Sequence, residues 1–200
     1  MARPDKRQMI MQAVERLLRH RHLHQITLDE VAQKARVGKG TLYLHFKDKE
    51  DLFFQTAISS FEQLRLVVEE QDDCNCTFEE RLTDACKRVV GFFEDHFALM
   101  RMIQMEESRL ARDKGRLKQE WLMKRKDLLN AFTSILKQGI REGKVREDIP
   151  PDVLSFYLLS MLRARVRDLA DAPQQHRDVS KLVDLFVSGT SPRIAEKIQA

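Results

Sequence analysis

The sequence predicts an all-α protein with a small N-terminal three-helix head followed by a larger helical domain. Of its 200 residues 42% are hydrophobic and 33% charged, and only 7 Gly and 5 Pro interrupt the chain. Apolar residues recur at helical spacing along most of its length. The pairs Thr27 with Glu30 and Thr77 with Glu80 have the spacing of capping boxes, which mark helix starts. A chain of this length can bury a substantial core.

The head is predicted to contain three helices. The first runs over residues 5–21 and has one apolar face, made of Ile10, Ala13, Val14, Leu17 and Leu18. The second begins at Thr27 and turns Val31, Ala32 and Ala35 inward. After a turn at residues 37–38, a third short helix is anchored by Leu42 and Phe46. Two short helices joined by a tight turn form a helix-turn-helix, which places its second helix in a DNA major groove.

Three segments of this head, TLDEVA, VGKGTLYLHF and KDKEDL, resemble the TetR family of bacterial transcriptional regulators. The resemblance spans residues 5–60. Beyond it, the similarity is one of helix order and of the segment GKVREDIPPD over residues 143–152. It implies a one-component regulator, expected to be a repressor, that binds a palindromic operator in double-stranded DNA as a homodimer and is released by a small-molecule effector. The expected domains are 1–48 for DNA binding and 49–200 for effector binding and dimerisation.

The resemblance also assigns the residues expected to contact DNA, which are Thr27, Lys39, Gly40, Thr41, Tyr43, His45 and Lys49. Lysine neutralises phosphate, and hydroxyl and imidazole groups hydrogen-bond phosphate oxygens. Lys39 and Thr41 are placed for base edges, and Thr27 for a phosphate at a helix start. The distribution of charge agrees with DNA binding by the head. Residues 1–50 hold 11 Lys and Arg against 6 Asp and Glu, whereas residues 51–200 hold 24 against 25.

The head departs from the family pattern at three positions where the chain turns. Arg36 stands where the family usually has the turn glycine, and Gly38 replaces the serine that caps the recognition helix. His22 stands where a glycine usually ends the first helix, so we expect His22 to carry a left-handed turn.

Six further helices are predicted after the head. They cover residues 49–70, a segment starting at Thr77, residues 97–112, residues 116–142 ending before Gly143, a segment starting at Pro150 and Pro151, and a last segment around residues 179–186. The eighth helix is apolar on more than one face, so its second face is predicted to meet another subunit. The residues expected at this interface are Leu154, Leu158, Met161, Leu162, Val179, Leu182, Val183 and Phe186.

The larger domain is rich in aromatic and methionine residues, which have two interpretations. They are ordinary core, or some of them line a cavity for an apolar or amphipathic effector, as the family resemblance implies. The candidates are Phe61, Phe93, Met100, Met102, Met105, Trp121, Phe132 and Tyr157.

Other classes of function have weaker support. Cys74, Cys76 and Cys86 leave open a thiol- or metal-responsive regulator on the same scaffold, although Cys86 falls on an apolar helix face. His20, His22 and His24 do not share a helical face, so no metal site is predicted there. A helical enzyme or binding protein with an incidental helix-turn-helix is the other alternative. The sequence has no nucleophile–base pair or phosphate loop, so neither an enzyme nor a cofactor is expected.

Neither a membrane partner nor secretion is expected. No apolar run approaches the length needed to cross a bilayer, and three cysteines do not make a disulfide framework. We therefore expect a cytoplasmic protein.

Overall fold

The computed structural model describes residues 5–70, 76–110 and 116–192, with side chains described throughout except at residues 104–110, 116 and 117. These ranges contain nine α-helices and no strands. The helices are α1 Lys6–Leu18, α2 Leu28–Ala35, α3 Lys39–His45, α4 Lys49–Glu69, α5 Phe78–Asp95, α6 Phe97–Leu110, α7 Arg116–Arg141, α8 Pro151–Asp168 and α9 Val179–Thr190. The all-α prediction is confirmed.

Several helix ends lie where the sequence predicted them. Thr27 and Thr77 each form a capping box with the glutamate three residues later. Gly143 ends the seventh helix with φ of 69°, a conformation that glycine adopts without steric cost. Pro151 is the first residue of α8, where its missing N–H is not needed.

The end of α1 differs from the prediction. This helix stops at Leu18, and His22 has φ of −78° and ψ of 153°, an extended conformation rather than a left-handed one. A short 3₁₀ turn, Leu23–Gln25, then leads to Ile26, which is fully buried. The prediction for His22 was wrong because the connection needs no positive φ. The chain reverses over several residues and is held by the buried Ile26.

The described chain forms two compact units, and the first comprises Met1–Gln63 and Asp95–Lys124. In it α1 packs against α2, α3 and α6. Its buried core includes Ile10, Val14, Val31, Leu42, Phe46 and Leu52. The Arg7 guanidinium donates to Gln55 Oε1 at 2.5 Å and lies 5.8 Å from the ring centre of Phe46, so α1 is tied to α4. This packing holds the small helices α2 and α3 against α1.

The second unit comprises Leu64–Glu94 and Arg125–Ala200. Its core includes Phe78, Leu82, Val89, Phe132, Leu158 and Leu162. Arg165 is buried on α8, where it donates to Glu94 Oε1 at 2.7 Å and to the backbone carbonyl of Arg177 at 2.8 Å. These bonds satisfy a buried guanidinium, which would otherwise be costly in a helical core.

Candidate nucleic-acid interface

Helices α2 and α3 form the predicted helix-turn-helix. Arg36 adopts φ of 55° and ψ of 42°, and the next amide, Val37 N–H, donates to the Ala32 carbonyl at 3.0 Å. Arg36 therefore carries the left-handed turn that glycine usually carries at this place. Gly38 precedes α3 without a side-chain cap. The turn brings the first residue of α3 beside the first turn of α2.

One face of α3 is buried and the other is open to solvent. Leu42 and Phe46 are buried, at 0% and 1% exposure, and hold the helix against the unit's core. Every candidate contact on α3 is exposed or half-exposed, namely Lys39, Gly40, Thr41, Tyr43 and His45. The sequence-predicted side chains of this helix therefore lie together on its accessible side.

Sequence reasoning did not single out Leu44, which is 84% exposed on the same helix. An apolar side chain so exposed on a recognition helix can contact a thymine methyl group. Its position in the sequence, between the candidate contacts Tyr43 and His45, could have identified it.

The Thr27 hydroxyl is already engaged within the protein. Its oxygen accepts from the Glu30 amide at 3.3 Å, while the Thr27 amide and hydroxyl both donate to the Glu30 carboxylate, at 2.8 and 2.9 Å. The backbone bond from Thr27, followed by the Arg21 guanidinium and the Thr27 hydroxyl, lowers the pKa of Glu30 from 4.5 to about 2. A phosphate contact by Thr27 would have to compete with this carboxylate.

Lys49 and Lys39 are both held by neighbouring groups. Lys49 Nζ donates to the His24 carbonyl at 3.4 Å and lies 5.9 Å from the ring centre of Phe53. Lys39 Nζ lies 2.7 Å from Asp29 Oδ1, and a hydrogen bond to this carboxylate raises the pKa of Lys39. Both ammonium groups therefore have defined positions in the head.

The candidate effector residues divide between the two units. In the first unit the rings of Phe61 and Trp121 meet edge to face at 4.8 Å, and Phe54, which the sequence analysis did not select, lies 5.6 Å from Trp121. Met102 is buried and Met100 is half-buried there. The Met105 side chain lies outside the described residues.

In the second unit Phe93 and Phe132 are buried, whereas Tyr157 is 54% exposed. The eight candidates thus do not belong to one compact unit. Phe61, Trp121 and Phe54 form the aromatic cluster that the structure supplies within a single unit.

Most residues predicted at the dimer interface are buried within their own chain. Leu154, Leu158, Leu162, Val179, Val183 and Phe186 are all buried, and only Met161 and Leu182 are half-exposed. The large apolar side chains exposed on these two helices are Val153, Phe156, Tyr157 and Leu185. Sequence periodicity could not separate the two faces of α8, because both are apolar.

The cysteine and histidine candidates provide no metal site in the described part of the chain. Within residues 5–70, 76–110 and 116–192, no three His, Cys, Asp or Glu side chains are placed to hold a metal ion. Cys86 is fully buried and desolvation raises its thiol pKa to about 12, so it is a core residue and a poor nucleophile. Cys74 lies outside the described residues. The rings of His22 and His24 are stacked with centres 5.8 Å apart.

No helix in the ranges that the structure describes is both long and apolar enough to cross a bilayer.

Comparison with known proteins agrees with this geometry. Residues 10–56 match the model of the bacterial regulatory proteins of the tetR family, and residues 75–167 match a tetracyclin repressor-like C-terminal domain. A fatty acid metabolism regulator protein of Bacillus subtilis is 29% identical over 149 residues, covering 74% of each chain. The transcriptional repressor AcnR of Corynebacterium diphtheriae is 24% identical over 165 residues, covering 82% of this chain and 81% of the repressor.

Among solved structures, the regulator FadR from Bacillus subtilis, in complex with stearoyl-CoA, superposes with a TM-score of 0.69 at 22% identity. The match covers 90% of this chain and 95% of FadR. The two family models together cover most of the chain, and the first coincides with the exposed recognition helix and its support. The chain belongs to the TetR family of DNA-binding transcriptional regulators.

Proposed function

We propose that this regulator is a cytoplasmic repressor that binds a palindromic operator as a homodimer. In this proposal residues 1–48 bind DNA, and residues 49–200 bind the effector and dimerise. The proposal rests on the difference between the two faces of α3. Leu42 and Phe46 are buried, whereas Tyr43 and Leu44 are 50% and 84% exposed. A helix anchored in this way can enter a major groove without exposing the core of the head.

Each side chain has a role that suits its chemistry. Tyr43 and His45 would hydrogen-bond phosphate oxygens and so set the position of the helix. Lys39 and Thr41 are at the start of α3, where recognition helices contact base edges. Lys49 would place a positive charge beside the DNA backbone. Because one head reads only a few base pairs, two heads on a symmetric dimer are needed for useful specificity.

The effector in this proposal is an apolar or amphipathic small molecule. The support is the buried aromatic cluster of Phe54, Phe61 and Trp121, with the flexible Met102 buried in the same unit. The comparisons above include a fatty acid metabolism regulator protein and the FadR structure in complex with stearoyl-CoA, so fatty acids and acyl-CoA thioesters are the first compounds to test.

Release of the operator would follow from a change in the placement of α4. This helix begins at Lys49, three residues after the buried Phe46, and its residues belong to both compact units. An effector that favours one placement of α4 would alter how the two heads meet the operator. A hundredfold loss of operator affinity requires tighter effector binding to the free protein by the same factor, about 2.7 kcal/mol.

The test begins with recovery of operator fragments from sheared genomic DNA of the protein's own host, followed by titration of the recovered duplex. Tyr43→Ala should weaken operator binding about 5- to 150-fold, because the dimer loses two exposed hydrogen-bonding side chains, each contributing about 0.5–1.5 kcal/mol. The matched control is Lys87→Ala on α5, which changes an exposed residue outside the head and should leave affinity unchanged. Equal affinity of the wild type for recovered and bulk DNA would reject the proposal.

The effector is tested separately. Thermal-shift hits among fatty acids and acyl-CoA thioesters are titrated with and without operator DNA. Operator binding should weaken the affinity of a true effector. Hits whose affinity is the same in both conditions would reject the release mechanism while leaving operator recognition intact.

A further inference from the structure

We infer that Asp29 is a specificity-determining residue, because its carboxylate and the Lys39 ammonium form one donor–acceptor unit that reads a single G·C base pair. This inference rests on the DNA-binding function proposed above. It goes further, in that it assigns a role to an acidic residue on a surface expected to meet a polyanion.

The two groups come from different helices and meet across the turn. Asp29 lies in the first turn of α2, and Lys39 is the first residue of α3. Lys39 Nζ and Asp29 Oδ1 are 2.7 Å apart, and the side chains are 58% and 68% exposed. The pair is therefore formed before DNA arrives and both of its members are accessible.

Each member keeps hydrogen-bonding capacity after the pair has formed. An ammonium group has three N–H donors, so one bond to Asp29 leaves two. A carboxylate has several lone-pair sites, so it can accept another hydrogen bond beside the one from Lys39. The unit thus presents a donor and an acceptor side by side.

The major-groove edge of a base pair offers the complementary arrangement. In a G·C pair the cytosine N4 amino group donates to guanine O6, so donor and acceptor lie about 2.9 Å apart, the usual N–H···O distance. The 2.7 Å between Lys39 Nζ and Asp29 Oδ1 is close to this spacing. An A·T pair has the same spacing, between adenine N6 and thymine O4, but in G·C guanine N7 lies beside O6 and can accept from the second free lysine donor. Lysine therefore favours guanine O6 and N7, while the carboxylate accepts from cytosine N4. Reversing the base pair exchanges donor and acceptor, so the unit also favours one orientation.

The Asp29–Lys39 pair also affects the affinity for non-operator DNA, through its electrostatics. Asp29 offsets the Lys39 charge, which reduces the attraction of Lys39 to phosphates and hence non-specific binding. Where no amino group of a base is within reach, the Asp29 carboxylate meets only the negative charge of the DNA. The pair therefore lowers affinity for random DNA more than for the operator, which raises the ratio between the two.

The first measurement compares Asp29→Asn with the wild type on sheared genomic DNA over a series of salt concentrations. The two freed lysines of the dimer should raise non-specific affinity several-fold and steepen the slope of log K against log salt by about 1.8, about 0.9 for each lysine. Asp84→Asn is the matched control, because Asp84 is exposed, pairs with Arg88 on α5 and loses the same charge outside the head. It should change neither quantity. An unchanged salt slope in Asp29→Asn would overturn the inference.

The second measurement is base preference, obtained from a randomised duplex pool and then from operator duplexes substituted at each position. At one position of each half-site the wild type should prefer one orientation of G·C by about five- to a hundredfold. Asp29→Asn and Lys39→Ala should each abolish the base preference at that same position, and the double variant should reduce this preference no further. Changes at different positions in the two single variants, or a shared position that prefers A·T, would overturn the assignment.

The two proposals fail in distinguishable ways. If the wild type selects no sequence from the pool, the proposed function fails. If the wild type selects an operator and Tyr43→Ala weakens it while Asp29→Asn keeps the wild-type base preference, only the role of Asp29 is rejected.

Discussion

Gly139 on α7 lies directly against the ring of Phe78 at the start of α5. A β-carbon at position 139 would be 2.6 Å from Phe78 Cε2 and 2.8 Å from Val145 Cγ2. Both neighbours are buried, at 0% and 2% exposure, so neither can move aside freely. The close approach of these two helices in the second unit therefore depends on a residue without a side chain.

Gly139→Ala should lower the free energy of unfolding by about 1–3 kcal/mol, because an extra methyl group overpacks a filled core. Urea unfolding followed by circular dichroism measures the change. Gly91→Ala on α5 is the matched control, since a β-carbon there meets nothing within 4 Å. It should raise stability by about 0.5–1 kcal/mol through helix propensity. Equal effects of the two substitutions would contradict this packing.

Arg36→Gly should stabilise the protein by about 1 kcal/mol. Arg36 has φ of 55°, a left-handed conformation that costs a residue with a β-carbon about 1–2 kcal/mol and glycine little. Lys34→Gly, two residues earlier within α2, should instead destabilise by about 0.5–1 kcal/mol. The measurement is the unfolding midpoint of each variant. A destabilised Arg36→Gly would show that the arginine side chain contributes more than its backbone strain costs.

Phe156→Glu combined with Leu185→Glu should convert the proposed dimer to a folded monomer that binds operator weakly. These side chains are 44% and 67% exposed on α8 and α9, so charges there disturb a partner surface and not the core. Leu158→Glu is the contrasting variant. Leu158 is fully buried, and a charge there should unfold the protein. Sedimentation with circular dichroism separates the outcomes, and a double variant that remains dimeric would place the interface elsewhere.

The contribution of Glu30 to stability should vanish at acid pH. Its pKa is lowered from 4.5 to about 2 in the folded protein, chiefly by the Thr27 backbone bond. The contribution is therefore complete above the unfolded value of about 4.5 and is lost as pH falls towards about 2.

The check for Glu30 is the difference in Tm between wild type and Glu30→Gln, measured from neutral to acid pH. We expect this difference to favour the wild type at pH 7 and to close between about pH 5 and about pH 2. Glu147→Gln, at an exposed position, is the control and should give a difference that does not follow this course. A Tm difference between the wild type and Glu30→Gln that stays constant with pH would contradict the capping bond.

Local chemistry made much of this fold predictable from the sequence. The capping boxes at Thr27 and Thr77, the glycine at 143 and the proline at 151 act through bonds and sterics within a few residues, and the structure places helix ends at each. The recognition helix was predictable for the same reason, since the pattern of anchoring and exposed residues is encoded within the eight positions 39–46.

Tertiary packing decided what these local rules leave open. Both faces of α8 are apolar, and only its neighbours in the core determine that Leu158 is buried and Tyr157 is not. Asp29 and Lys39 are ten positions apart, and they meet because the turn at Arg36 folds α3 back beside α2. Periodicity gives the direction of a side chain around its own helix axis, whereas its partner depends on which other helix lies there. Local patterns therefore determined the helices and the recognition element, and packing determined the partners of their side chains.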